Sequence, residues 1–167
     1  MASLDEIKEA RLKKLQILKD ANINPYPAKV ARDFPISLFK KDFTDFEESK
    51  KEIALAGRVL AIRGQGAILF VVLFDGTGKV QAIFKKDDME ESVFSLFVDT
   101  VDIGDFISVT GVAMKSKTGE ESLFVKNWVM ATKSLLPLPE KWAGLTDPDE
   151  RYRKRYLDFL MNEELRD

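Results

Sequence analysis

The stretch A-G-R-V-L-A-I-R-G-Q-G-A-I-L-F-V-V-L-F-D-G-T-G-K-V-Q, residues 56–81, decides the fold. It contains two long apolar runs joined by the Gly-rich turn Gly64-Gln65-Gly66. A second turn, Asp75-Gly76-Thr77-Gly78, feeds a third run that opens with Lys79-Val80-Gln81. Apolar β-branched runs bounded by Gly and Asp turns predict strands, here a three-strand meander. Its first turn carries Arg63, its middle strand Phe70 and its third strand a lone amide, Gln81. A cation, a ring face and an amide on one side of a curved sheet suit stacking on, and reading, an unpaired base.

Outward from this centre, strands are expected at Ile53–Ile62, Ala67–Phe74, Lys79–Phe84, Phe106–Lys115 and Leu123–Met130. Gly57 inside the first suggests a bulge or sharp bend. Asp87-Asp88 is expected to cap a helix through Met89, Val93, Phe94, Leu96 and Phe97. Asp102-Ile103-Gly104-Asp105 reads as a turn, and so does Lys117-Thr118-Gly119-Glu120. The order β-β-β-α-β-β, with a helix between the third and fourth of five short strands, is the layout of an OB-fold barrel. That fold binds through the face of strands two and three and through the loops joining strands one to two and four to five. A small β-sandwich is the competing fold, and the interposed helix decides for the barrel.

Before the meander, Ser3-Leu4-Asp5-Glu6 has the S-x-x-E form of a capping box and predicts a helix start. Leu4, Ile7, Leu15 and Leu18 share one arc of that helix, with most lysines outside it. Asn22 and Asn24-Pro25-Tyr26-Pro27 predict its end. A short second helix is expected from Asp33 as N-cap through Phe39, with Pro35 in its first turn. The polar run Asp45–Lys51 then reads as a connection to the first strand. After Thr132, Leu135-Leu136-Pro137-Leu138-Pro139 predicts an extended linker. A further helix is expected over Asp147–Leu160, with Asp147 or Asp149 as N-cap.

Composition limits the chemistry. The 167 residues are 45% hydrophobic and 32% charged, an ordinary globular balance. No Cys and no His are present, which removes disulfides, thiolate nucleophiles, His-based triads and the usual zinc sites. No apolar run approaches a membrane span, and Asp5 and Glu6 stand where a signal peptide would be basic, so a cytoplasmic chain without a membrane partner is expected. A formal charge of −2 argues against coating nucleic acid by phosphate neutralisation alone, so binding would be local and selective. Gly64-Gln65-Gly66 lies between strands and is no dinucleotide fingerprint. Gly76-Thr77-Gly78-Lys79 lacks phosphate-loop spacing. On residues alone, a single Phe70 among Leu69, Val71, Val72, Leu73 and Phe74 fits a core as well as a stacking platform, and Gln81 and Glu120 would be surface residues.

Several motifs carry a resemblance. Arg11-Leu12 to Leu18, Ile23-Asn24-Pro25-Tyr26-Pro27, Ala56-Gly57-Arg58, Asp75 to Gln81, Lys117-Thr118-Gly119-Glu120, Leu136-Pro137-Leu138-Pro139-Glu140-Lys141-Trp142, Gly144-Leu145-Thr146-Asp147 and Arg151 to Asp158 are similar to the N-terminal part of class II lysyl-tRNA synthetases. The resemblance spans nearly the whole chain. Aspartyl and asparaginyl enzymes share the barrel and Arg-Tyr-Leu-Asp but not Pro-Tyr-Pro or the segment from Pro137. The resemblance implies an anticodon site in which Phe70 stacks under the central uridine while Arg63, Gln81 and Glu120 reach base edges. Ala67-Ile68-Leu69 and Ile62 depart from the family's pattern beside these residues.

It further implies an N-terminal helical extension (1–50), an OB-fold anticodon-binding domain (51–133), a proline-containing linker (134–147) and the opening helix of a catalytic domain (148–167). The expected partner is the anticodon loop of tRNA(Lys). ATP and Mg2+ belong to the full-length enzyme, a homodimer. This polypeptide by itself is expected to use no cofactor, to be inactive in aminoacylation, and to be a monomer or weak dimer. A free-standing OB-fold that binds single-stranded nucleic acid or a protein partner is the alternative from a different class, and the same module of an aspartyl- or asparaginyl-tRNA synthetase is the other alternative.

Overall fold

A computed structural model describes residues 3–64, 66–139 and 148–161. Residues 1–2, Gln65, the linker residues 140–147 with the expected N-cap Asp147, and residues 162–167 lie outside the described residues. The described elements are α1 (Leu4–Asp20), α2 (Ile36–Lys41), α3 (Phe43–Ser49), β1 (Glu52–Arg63), β2 (Ile68–Phe74), β3 (Lys79–Lys85), α4 (Glu91–Thr100), β4 (Phe106–Lys115), β5 (Glu121–Thr132), α5 (Pro148–Arg153) and α6 (Arg155–Met161).

The strands close into a barrel in the order β1-β2-β3-β5-β4. Closure needs one strand with two partners. Residues 52–58 of β1 pair with β4, and residues 58–63 pair with β2. Gly57 lies at this switch, where a Cβ would stand 3.0 Å from the Phe74 carbonyl oxygen. The expected bulge falls elsewhere, as a register shift between Val59 and Ala61. Gly57 instead admits the close approach of a second backbone. A short parallel pairing of Gln81–Ile83 with Ser122–Phe124 completes the ring. The expected OB-fold is therefore the observed one, and the sandwich is not.

Alternation fills the interior. Leu69, Val71 and Leu73 of β2 and Val80, Ala82 and Phe84 of β3 are buried in one apolar core with Leu55, Val59, Ile107, Val109, Leu123 and Val125. The helix α4 covers one end of that core. The Phe97 ring lies 4.1 Å from Phe84 and meets Trp128 edge-on at 5.4 Å, while the Trp128 indole N–H donates to the Val93 carbonyl at 2.9 Å. Contrary to the expectation from sequence, Asp87-Asp88 does not cap α4. They form a separate 3-10 turn, Lys86–Asp88, and the helix starts after Glu90.

Two expectations about the extension are corrected. The polar run Asp45–Lys51 is mostly helix: α3 continues to Ser49 and stops at Lys50 in the left-handed conformation, φ 48°. Its Phe43 and Phe46 pack against Phe39 and Phe34 with ring separations of 5.1–5.8 Å, and that burial outweighs the polar composition. Nor does Asp33 cap α2. Its carboxylate accepts the Ala54 N–H at 2.8 Å, tying the segment to β1. The orphan N–H groups of α2 are met from the β2–β3 turn, Ile36 N–H donating to Asp75 Oδ2 (2.9 Å) and Ser37 N–H to the Thr77 hydroxyl (3.1 Å). The Asp75-Gly76-Thr77-Gly78 turn is thus both a hairpin and a helix cap supplied from another part of the chain.

Other expectations agree with the structure. Ser3 and Glu6 form the reciprocal capping box of α1, and Asn22 is left-handed at φ 58°. The tail is one helix broken at Lys154 into α5 and α6, and Tyr156, Leu157, Phe159 and Leu160 share a cavity of about 330 Å3 with Arg58, Phe74 and Gly76 at the barrel.

Two carboxylates make the assembly acid-sensitive. Burial pushes the Asp75 carboxyl up, but hydrogen bonds from Ile36, Thr77 and Arg32 outweigh it and hold its pKa below the usual value. Asp102 is likewise lowered, burial being outweighed by hydrogen bonds from Lys133 and Lys14. A depressed folded-state pKa contributes stability that is present above the unfolded value, about 4, and is lost as pH falls through the folded value. Melting temperature should therefore hold near neutral pH and drop below about pH 4, and Asp75→Asn with Asp102→Asn should flatten that drop. An unchanged acid limb in the double variant would show that other carboxylates control it.

Candidate nucleic-acid interface

The outer face of the sheet is the complement of its core face. Alternation that sends Leu69, Val71 and Leu73 inward sends Phe70 and Val72 outward, and the same parity in β3 turns Gln81 and Ile83 outward. The register lines these residues up. Arg63 of β1 is directly opposite Phe70, Phe70 is opposite Ile83, and Val72 is opposite Gln81. Gln81 in turn pairs with Ser122 of β5, two residues beyond Glu120. Directly opposed residues stand with Cβ atoms about 5 Å apart and diagonal ones about 7–8 Å. Arg63, Phe70 and Gln81 therefore share one patch of the barrel surface, and Glu120 stands at its rim, where the Lys117–Glu120 turn enters β5.

The environments of the four differ. Phe70 is half-buried, stands outside the core cluster, and stacks on no other ring among the described residues. Ile83, opposite it, is only 4% exposed yet is also absent from the interior cluster, so this outer face has an apolar floor. Arg63 and Glu120 are exposed, and among the described residues neither is paired with an opposite charge. Gln81 is half-buried and donates from Nε2 to the Ser122 hydroxyl at 3.0 Å.

Ser122 is the residue that sequence reasoning missed. It is fully buried, accepts from Gln81 and donates to the Glu120 carbonyl at 2.9 Å, so it joins two of the candidate residues. Nothing in Glu120-Glu121-Ser122-Leu123 marks it, because a serine in a strand is ordinary. Only the parallel β3–β5 pairing brings it to Gln81, 41 positions away.

The arrangement offers an apolar shelf, a ring face, a cation, a carboxylate and an oriented amide. It offers no metal centre: among the described residues no three His, Cys, Asp or Glu side chains could hold an ion. No helix is long and apolar enough to cross a membrane, among the same residues.

The fold is that of an OB-fold domain. The family model for such domains of the tRNA anticodon type, described as "OB-fold nucleic acid binding domain", matches residues 53–131, and this region belongs to that family. Over nearly its whole length the chain is similar to lysine–tRNA ligases. It is 39% identical to the one from Thermotoga maritima over 166 residues, which is 96% of this chain and 33% of that protein. It is 41% identical to one from Dehalococcoides mccartyi (93% and 32%) and 40% to that of Halalkalibacterium halodurans (98% and 34%). The chain thus spans about a third of the length of the curated relatives it matches, and it carries the anticodon-binding OB domain of the lysine–tRNA ligase type. These relatives do not favour the free-standing barrel or the aspartyl and asparaginyl readings.

Proposed function

We propose that the outer face of β1, β2 and β3, with the β4–β5 turn, binds the anticodon loop of tRNA(Lys). In this reading Phe70 stacks under the central uridine, and Arg63, Gln81 and Glu120 contact base edges. The observation that carries it is the register: Arg63, Phe70 and Gln81 come to one side of the sheet, with a ring face that no other ring among the described residues covers. Stacking is blind to sequence, whereas a guanidinium, an amide and a carboxylate present different donor and acceptor sets, so the ring supplies affinity and its neighbours supply choice. The net charge of −2 supports short-range recognition over general phosphate attraction.

In the whole ligase, such binding would select the tRNA to which lysine is joined with ATP and Mg2+. We assign no step of that reaction to the residues described. The test is titration of the chain with a U-rich lysine-type anticodon stem-loop and a scrambled loop on the same stem. At about 0.1 M salt, screening leaves mainly short-range contacts. The lysine-type loop should bind more tightly. Equal affinities would remove anticodon recognition as the function of this face.

A further inference from the structure

We propose that Ser122 is a positioning residue that sets the direction of the Gln81 amide and thereby the choice between uracil and cytosine. The inference rests on the anticodon reading of this face. A serine hydroxyl has one proton to give. That of Ser122 goes to the Glu120 carbonyl, 2.9 Å away, so toward Gln81 the hydroxyl oxygen can only accept. The Gln81 group facing it, at 3.0 Å, must then be the NH2 and not the carbonyl. Ser122 is fully buried, so its hydroxyl is shielded from water although both partners lie nearer the surface.

This orientation matters because uracil and cytosine present opposite patterns. Uracil offers an N3–H donor beside carbonyl acceptors, whereas cytosine offers an N3 acceptor beside an NH2 donor. An amide free to turn over could satisfy either base by exchanging its C=O and N–H ends. An amide pinned through one N–H keeps its carbonyl and second N–H in one order. It then accepts from uracil N3–H and meets the cytosine N3 lone pair with a carbonyl oxygen. Ser122 need not touch the base to do this.

The experiment uses the 167-residue chain and two stem-loops that differ only in U or C at the central loop position. The Ser122→Ala, Gln81→Ala and double variants are compared with the unsubstituted chain. The unsubstituted chain should prefer U. Ser122→Ala should reduce the U-over-C ratio by about fivefold, the worth of one neutral hydrogen bond, partly by raising affinity for C, and should have no further effect on that ratio in the Gln81→Ala background. If Ser122→Ala weakens both loops by one factor, or lowers the ratio as much without Gln81, its role is structural only and the proposal fails. If the unsubstituted chain binds U, C and scrambled loops alike, the anticodon reading itself fails and takes this inference with it. NMR of the RNA-free chain examines the orientation separately. One Gln81 side-chain amide proton should exchange more slowly than in a free glutamine amide, and that protection should vanish in Ser122→Ala. Two protons that both exchange as fast as those of a free glutamine amide in the unsubstituted chain would show the amide unpinned and overturn the proposal.

Discussion

Phe70→Ala should weaken binding of every U-centred loop by about 1–3 kcal/mol, the worth of one base stacked on an aromatic ring, while leaving the melting temperature nearly unchanged. The two halves of that expectation come from one feature. Phe70 lies on the outer parity of β2, half-buried and outside the interior cluster, so truncating it opens no cavity among Leu69, Val71 and Leu73. Its neighbours should behave differently. Glu120→Ala should change the ratio between U and C loops more than it changes overall affinity, because a carboxylate contributes choice and not stacking. Titration of both variants against both loops, with a thermal melt of each, separates these effects. A large drop in melting temperature for Phe70→Ala would show that the ring supports the fold and would remove it as the platform.

Asp105→Ala should cost about 3–5 kcal/mol of folding stability, the penalty for breaking a buried ion pair by removing one partner. Lys133 is only 2% exposed, and its ammonium lies 2.7 Å from Asp105 and 2.6 Å from Asp102. Asp105 also accepts the backbone N–H groups of Ser134 and Asp102, both at 2.8 Å. The surrounding chain is latched to the same place. The Lys133 carbonyl accepts the Tyr26 hydroxyl, Lys14 pairs with Asp102, and Arg11 donates to the carbonyls of Ile103, Ser134 and Leu136. Removing Asp105 leaves a buried ammonium with one carboxylate and strands two backbone donors. Denaturant unfolding should show a lower midpoint with the slope largely kept. Lys133→Met combined with Asp105→Asn should recover part of the loss, because no unpaired charge then stays buried. A loss below about 1 kcal/mol for Asp105→Ala would mean that water reaches the cluster.

This latch also shows where reading the chain residue by residue stops. On the helical wheel Arg11 lies inside the arc of Leu4, Ile7, Leu15 and Leu18, yet it is 7% exposed, buried as a donor to three carbonyls. Asp102-Ile103-Gly104-Asp105 read as a turn, which it is, with Gly104 at φ 102°. That its two carboxylates hold a buried lysine could not be read there, because the lysine arrives from the far end of β5.

Local sequence pattern was enough for the strand order of the barrel and for the capping box of α1. These depend on neighbours within a few residues: an apolar run between turns, a serine three positions before a glutamate, a glycine in a turn. The resemblance in its motifs named Arg63, Phe70, Gln81 and Glu120, but the folded sheet put Arg63, Phe70 and Gln81 on one surface. Tertiary structure alone decided the rest. It moved the bulge from Gly57 to the Val59–Ala61 step and gave α2 its cap from Asp75 and Thr77 instead of Asp33. It made a helix of a run that looked polar and placed Ser122 behind Gln81. Each of these is a hydrogen bond or a ring contact whose partners are set by how distant segments meet when the barrel closes. Local propensity carries no term for such a partner.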